Sequence, residues 1–274
     1  IIHGAGLNIL LFNTLARHMD ADQPIYGLQA RHMNGQGQPL DNLDEIVHEY
    51  AQEMLNVLPN GPFALAGFSI GGLIAFELAH YFRRHHKKVA FLGVFDTFAD
   101  SAGHRQTGVR ARLGRLYHMV LKIWFNARIT VRYPAEVIPK KWRWLRYRMR
   151  LKRNRAAQLK DQELMNLPEK LQVIAAAIIS AVEKNQLEWY PGPLHLFRAE
   201  RRLFYVPETE YLGWKKYVPD VIVHRIPGDH SYIFAPPNDM VFAQVLQAAL
   251  DEETRRLESD VATARRHSES SVLP

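Results

Sequence analysis

Apolar residues follow two rhythms along this chain. Apolar runs at 63–68 and 89–95 have the length and the aromatic or β-branched content of buried strands, and the mainly apolar stretches 24–29, 194–199 and 221–226 also read as strands. Between them the spacing changes to three and four. Leu11, Leu15 and Met19 share one helical face behind a possible Asn8 cap. Asp41 and Asp44 introduce a second helix whose face carries Ile46, Val47, Tyr50, Met54, Leu55 and Leu58, and the Pro-Asn-Gly-Pro of 59–62 breaks it. Leu73, Phe76, Glu77 and His80 continue a third, after Ser69. Residues 1–6 read as a strand end with a glycine-rich turn, and 34–40 as a loop. The alternation to residue 95 is β-α-β-α-β-α-β, which predicts an α/β fold with a mainly parallel sheet covered by helices on both faces.

From about 100 to 191 the alternation stops. Leu113, Leu116, Tyr117, Val120, Leu121 and Trp124 form one packing stripe. Trp142, Leu145 and Met149 mark a second helix, and 168–185 a third rich in Ala and Ile. This stretch is expected to be an inserted helical lid over the C-terminal edge of the sheet. Two strands then resume, Pro227-Gly228-Asp229-His230 ends the second, and 239–250 reads as a closing helix. The domain is expected to span 1–250. Residues 251–274, polar and poor in aromatics, are expected to be a disordered tail.

Composition adds limits. With 274 residues, 47% hydrophobic and 23% charged, the chain has the make-up of a soluble globular domain. No apolar run approaches the roughly 18 residues of a membrane span. Residue 1 already lies in a strand end, as in a chain that begins inside a domain; no leader is expected, and the expected location is cytoplasmic. The absence of cysteine excludes a disulfide scaffold, a thiol nucleophile and a thiolate metal site. Residues 104–160 carry 17 Lys and Arg against one acid, Glu136, so the net charge of +7 belongs to the lid and the remainder is mildly acidic. A solvated helix face, a docking surface for an acidic or phosphate-bearing partner, and an interfacial membrane helix all fit that run, membrane contact being the weaker reading. No nucleic-acid motif accompanies the charge, and no nucleic-acid partner is expected.

The chemistry centres on Gly67-Phe68-Ser69-Ile70-Gly71, which joins an apolar run to a helical pattern. Strand, Gly-x-Ser-x-Gly and helix in that order form the nucleophile elbow of the α/β-hydrolase fold, in which a tight turn exposes the serine hydroxyl. Serine needs an imidazole base oriented by a carboxylate, and in that fold the chain order is Ser, acid, His. Ser69, Asp96 and His230 each follow an apolar strand, so all three fall on one sheet edge. Asp100 is a rival for Asp96. Asp229 adjoins the histidine, so its carboxylate should turn towards backbone amides. His224 and the pair His85–His86 read as structural or surface residues. For a developing oxyanion, the backbone N–H of Ile70 and one from His3-Gly4-Ala5-Gly6, with Ala5 the choice, are the candidate donors. No metal site is predicted.

These motifs, with Pro24-Ile25-Tyr26-Gly27-Leu28, Phe95-Asp96-Thr97, Leu196-Phe197-Arg198-Ala199 and Gly213-Trp214, make residues 1 to about 250 resemble the thioesterase domains of non-ribosomal peptide synthetases and polyketide synthases. The resemblance implies a serine thioesterase without a bound cofactor. Its substrate would be an acyl or peptidyl chain on the phosphopantetheine of a carrier protein upstream in the same polypeptide. Release would be by hydrolysis or cyclisation. The departures are a first loop without the usual proline of His-Pro-x-Gly-Gly, an unusually basic lid, and no upstream strands or carrier domain in this sequence. A free-standing esterase or lipase with the same triad, and a non-catalytic binding module, are the alternatives.

Overall fold

The computed structural model describes residues 1–33, 38–99, 109–151 and 167–270. Asp100, part of the 34–40 loop and the link between the second and third lid helices lie outside the described residues. Four parallel strands lie in the order β1 (Phe63–Phe68), β2 (Val89–Phe95), β3 (Leu194–Arg201) and β4 (Val221–Asp229). Their register sets Phe68 beside Phe95 and Phe95 beside Phe197, so the C-terminal ends of β1 and β2 are level. The strand end expected within 1–6 and the strand expected at 24–29 appear as isolated bridges of Ile2 with Leu28 and with Gly67, because the chain turns at Gly4, whose carbonyl accepts from Leu7 N–H. Ile2 therefore has Leu28 on one side and β1 on the other. At such a reversal of strand order open α/β sheets place their sites, and here residues 3–6 follow Ile2 at the edge that carries Ser69.

Two apolar layers sandwich the sheet. On one face α2 (Leu43–Val57), α3 (Ile70–Arg84) and α6 (Glu169–Lys184) bury Ile46, Tyr50, Phe76, Phe82, Ile174 and Ile178. On the other, α1 (Asn13–Arg17) and α7 (Asn238–Ser270) pack Leu15, Phe242 and Leu246 against Phe95 and Phe197. The cap of α2 is Asn42, whose Oδ1 accepts from the Asp44 and Glu45 amides at 2.8 and 3.4 Å, satisfying donors that a helix start leaves open. Asn8 accepts from Leu10 N–H at 3.1 Å, but the segment it starts is one 3₁₀ turn and the five residues of α1.

The insertion divides between core and lid. Helix α6, close to the expected 168–185, belongs to the core layer and not to the lid. Helices α4 (Val109–Arg132) and α5 (Pro134–Leu151) form a basic hairpin. Pro134 occupies the first position of α5, where a missing N–H costs nothing, and Pro139 lies inside the helix. The expected packing stripe on α4 is not the buried one: Leu116, Tyr117, Val120 and Trp124 are exposed, while Ile129 is buried and Phe125 meets Tyr205. Apolar residues occupy two faces of α4, and the domain covers one.

The tail is a correction too. Helix α7 runs on through 251–270, where polar composition predicted disorder. Glu252 pairs with Arg255 and Arg256, and Glu253 with Arg256, at the three- and four-residue spacings that support a solvated helix. Glu253 is also buried against His195 of β3.

Candidate active site

Ser69, Asp96, Arg202 and His230 are each the residue after the last residue of β1, β2, β3 and β4. Ser69 has φ 55° and ψ −120°, a left-handed value that a non-glycine residue adopts only under constraint. Three contacts impose it. Ser69 N–H donates to Phe95 O at 3.0 Å, Gly72 N–H to Ser69 O at 3.1 Å, and Thr97 Oγ1 to Ser69 O at 2.9 Å. The flanking glycines are steric necessities. A Cβ on Gly67 would lie 2.0 Å from Gly71 O, and one on Gly71 would lie 2.2 Å from His3 O. A Cβ on Gly72 would meet Thr97 Oγ1 at 2.1 Å. Trp214, fully buried, fixes the other side of Thr97 by donating Nε1–H to its carbonyl at 2.9 Å.

Asp96 is buried and takes four contacts from three residues on its two oxygens. His230 Nδ1–H donates to Oδ2 at 2.7 Å, Ala199 N–H to Oδ1 at 2.9 Å and Arg202 Nη1–H to Oδ2 at 2.9 Å. Arg202 Nη2 lies 2.7 Å from Oδ1, an ion pair whose angle falls outside hydrogen-bond geometry. Burial pushes the Asp96 carboxyl up, but the His230 hydrogen bond and charge, Arg202 and the Ala199 amide outweigh it and hold the group below the ordinary aspartate value. The His230 ring stacks on Phe68, the neighbour of Ser69, at 4.7 Å, and Phe204 meets it edge-on at 5.7 Å. Asp229 turns away as expected, accepting from Ser231 N–H at 3.0 Å, with Arg201 Nη2–H on its other oxygen at 2.9 Å. The same Arg201 reaches Glu136 of α5 at 3.1 Å and so ties the lid to the segment that carries His230.

The first loop is locked from below. His3 is buried, with Nδ1 2.7 Å from Gly4 O and Nε2 2.7 Å from the Tyr50 hydroxyl. A carbonyl can only accept, so Nδ1 carries the proton and Tyr50 donates to Nε2. That neutral form agrees with burial lowering the His3 pKa to about 4. Ala5 is fully buried, and its N–H has no hydrogen-bond partner among the described residues. Ile70 opens α3, so its N–H belongs to the first-turn donors that a helix leaves open. A cleft of about 530 Å³ lies alongside, between α5 and the turn after β4, lined by Glu136, Arg143, Arg201, Gly228 and Tyr232. Ser69, Asp96 and His230 are not part of its wall.

The structure thus joins Asp96 to His230 and sets Ser69 one residue from the ring that stacks on His230. The rival histidines are elsewhere: His224 stacks on His195 and Phe197, and His85 on Tyr81. Sequence reasoning missed the roles of Arg202, His3 and Thr97. For Arg202 the apolar run gave no signal, since it ends at Ala199 while β3 continues to Arg201.

Comparison with known proteins bears on the whole chain. A family model described as Thioesterase domain matches residues 1–248. Malpinin synthetase of Mortierella alpina is 43% identical over 89 residues, 32% of this chain and 1% of that protein. The nonribosomal peptide synthetase acyN of Ascocoryne sarcoides is 25% identical over a 288-residue alignment, 92% of this chain and 28% of that protein. The chain spans under a third of the length of these curated relatives. A covalent complex of the NocB thioesterase domain with a fluorophosphonate nocardicin G analog superposes with TM-score 0.60 at 18% identity, covering 91% of this chain and 92% of that one. The Vlm2 thioesterase domain bound with a dodecadepsipeptide does so with TM-score 0.58 at 20% identity, covering 90% and 94%. Both likenesses concern the fold, which is of the α/β-hydrolase type.

Proposed function

The chain belongs to the thioesterase domain family, and from that premise we propose that Ser69, His230 and Asp96 act as a triad releasing an acyl or peptidyl chain from a carrier-protein phosphopantetheine thioester. One observation carries the reading. His230 Nδ1–H bonds a buried, ionised Asp96 at 2.7 Å, beside a serine strained on an elbow. With Nδ1 protonated, Nε2 holds the lone pair of the neutral ring and is the nitrogen that takes the Ser69 proton. The serine oxygen then bonds to the thioester carbon, and the carbonyl π electrons move onto its oxygen. The Ile70 and Ala5 amides, neither with a backbone partner among the described residues, suit that oxyanion. Its collapse breaks the C–S bond, and the departing sulfur takes the proton from His230. Water, or a hydroxyl or amine of the chain itself, next gives its proton to His230 and attacks the acyl-Ser69 ester; the second oxyanion collapses, the bond from the acyl carbon to Ser69 Oγ breaks, and Ser69 takes the proton back from His230, yielding an acid or a ring. The carrier is read as a segment upstream in the same polypeptide, in keeping with synthetase relatives far longer than this chain.

Ser69→Ala tests the proposal. Turnover of an acyl-carrier thioester should fall by at least about 10³-fold, and mass spectrometry should find a fluorophosphonate on Ser69 in the parent protein and not in the variant. Turnover at the parent rate would end the reading. A second reading, an esterase working at a lipid surface, draws on the exposed Leu116, Val120, Ile123 and Trp124 of α4 among Lys122 and Arg128. A simple ester turned over faster than the carrier thioester, with activation by anionic vesicles, would favour it. Absence of Ser69 labelling would favour a non-catalytic binding module.

A further inference from the structure

Four adjacent strands end, in spatial order, on Ser69, Asp96, Arg202 and His230. Three have a part in acyl transfer as read above. The fourth, Arg202, is a long cation drawn out of solvent, its side chain 9% exposed. Burying a guanidinium costs several kcal/mol unless it is paired. Its partner is Asp96: Nη1 donates to Oδ2 at 2.9 Å, and Nη2 lies 2.7 Å from Oδ1. Nε and Nη2 are buried with no hydrogen-bond partner among the described residues. The guanidinium also lies over the Phe98 ring at 5.2 Å; Phe98 meets Phe204, and Phe204 meets His230. Arg202, Phe98, Phe204, His230 and Asp96 therefore form a closed circuit of contacts.

Two physical consequences follow. The guanidinium is planar and rigid, so one hydrogen bond from Nη1 to Oδ2 and the close ion pair of Nη2 with Oδ1 together restrain rotation of the carboxylate. The lone pair of Oδ2 that His230 uses is then aimed by Arg202 and by the Ala199 amide together. The second consequence is electrostatic. A carboxylate that shares its charge with a buried cation attracts an imidazolium proton less than a bare one, and Arg202 itself repels a positive His230. Other charges near the ring are Asp229, already paired with Arg201, and, through Arg201, Glu136 of α5. Strand β1 and the segment after β3 present the Phe68 and Phe204 rings.

We propose that Arg202 is a positioning residue of the site, fixing the Asp96 carboxylate for His230 and offsetting its charge so that His230 stays a neutral base at lower pH. The proposal rests on the triad reading above.

The experiment follows kcat/KM against pH for an octanoyl-N-acetylcysteamine thioester, with the parent protein, Arg202→Gln and Arg202→Lys, alongside the pH dependence of fluorophosphonate labelling at Ser69. In Arg202→Gln the acidic limb should move up by about one pH unit, as removal of one partly screened buried charge implies. In Arg202→Lys, which keeps the charge and loses the fork, the limb should stay within about 0.3 unit. Its kcat should still fall at least about tenfold through misalignment. A Gln variant with lowered rate and an unmoved limb would make Arg202 merely structural and overturn the proposal. A raised KM with both limbs unmoved would make it a substrate contact and overturn the proposal as well. Where the Gln variant does not fold, a parent-like kcat in the Lys variant overturns the fork. Failure of the triad reading is separate: the parent protein would then show no labelling at Ser69 at any pH.

Discussion

Ser69 occupies backbone space that costs a non-glycine residue about 1–3 kcal/mol, and its neighbours hold it there. One such constraint is at Gly71, whose missing side chain lets α3 pass within contact of the loop that carries Ala5. A Cβ there would lie 2.2 Å from His3 O and 2.7 Å from Ile2 O, both backbone atoms of a segment pinned by His3 and Tyr50. Neither side can yield cheaply. Gly71→Ala should cost about 1–3 kcal/mol as an overpacking change, read as a lower Tm. It should also slow fluorophosphonate labelling of Ser69 by roughly 10²-fold or more, because the displaced loop carries Ala5, the proposed oxyanion donor. Gly114→Ala is the control. Nothing lies within 4 Å of its Cβ position on α4, so helix propensity alone acts and Tm should hold or rise slightly. Equal effects from the two substitutions would refute the steric account.

Among the elements, β3 and α7 are joined by a polar chain that composition did not disclose. The Glu253 carboxylate accepts, so His195 donates Nε2–H to it at 3.3 Å; His195 Nδ1 then accepts from His224 Nε2–H at 3.0 Å. Arg256 supplies Glu253 with a charge partner at 2.8 Å. Glu253→Ala leaves a buried imidazole N–H without an acceptor and should cost about 1–3 kcal/mol. Glu253→Gln keeps an acceptor and should cost less. Both are checked by urea denaturation, with thioester turnover retained because His195 sits near the start of β3, away from the reacting edge. An Ala variant as stable as the parent would remove the clasp. Strands β1 and β2 were legible because strands largely buried between two layers are apolar throughout, β3 and β4 because their mixed runs still open on apolar residues, and α2, α3 and α6 because their stripes face a core. The far half of α7 was not. A helix supported by ion pairs and one buried carboxylate has the composition of a disordered tail. On α4 the stripe identified a helix but not its covered face, since both faces are apolar.

For the molecule as a whole, the order Ser69, Asp96, His230 could be read because each residue ends an apolar run, and parallel strands carry such ends to one edge. Arg202 could not be placed so, because β3 runs past its apolar segment through Glu200 and Arg201, with a register shift between Ala199 and Arg201. The buried titratable groups were equally hidden, and they set opposing pH dependences. His3, His195 and His224 are held near 4 in the fold against 6.5 in the open chain, chiefly by burial. The unfolded chain binds more protons in that window, so their stability is present above pH 6.5 and lost as pH falls towards 4. Glu77 on α3 runs the other way. Burial raises it to about 7 from 4.5, against the Asn185 bond at 2.8 Å and the Arg84 charge, which lower it. The folded protein binds the extra proton between those values, so this contribution is present below pH 4.5 and lost as pH rises through 7, by up to roughly 3 kcal/mol. Glu77→Gln keeps an oxygen for Asn185 and removes the ionisation. Its Tm should match the parent near pH 4.5 and exceed it progressively up to pH 8, while the decline between 6.5 and 4 caused by the histidines persists in both. A constant difference between variant and parent across pH 4.5–8 would show that Glu77 does not titrate there.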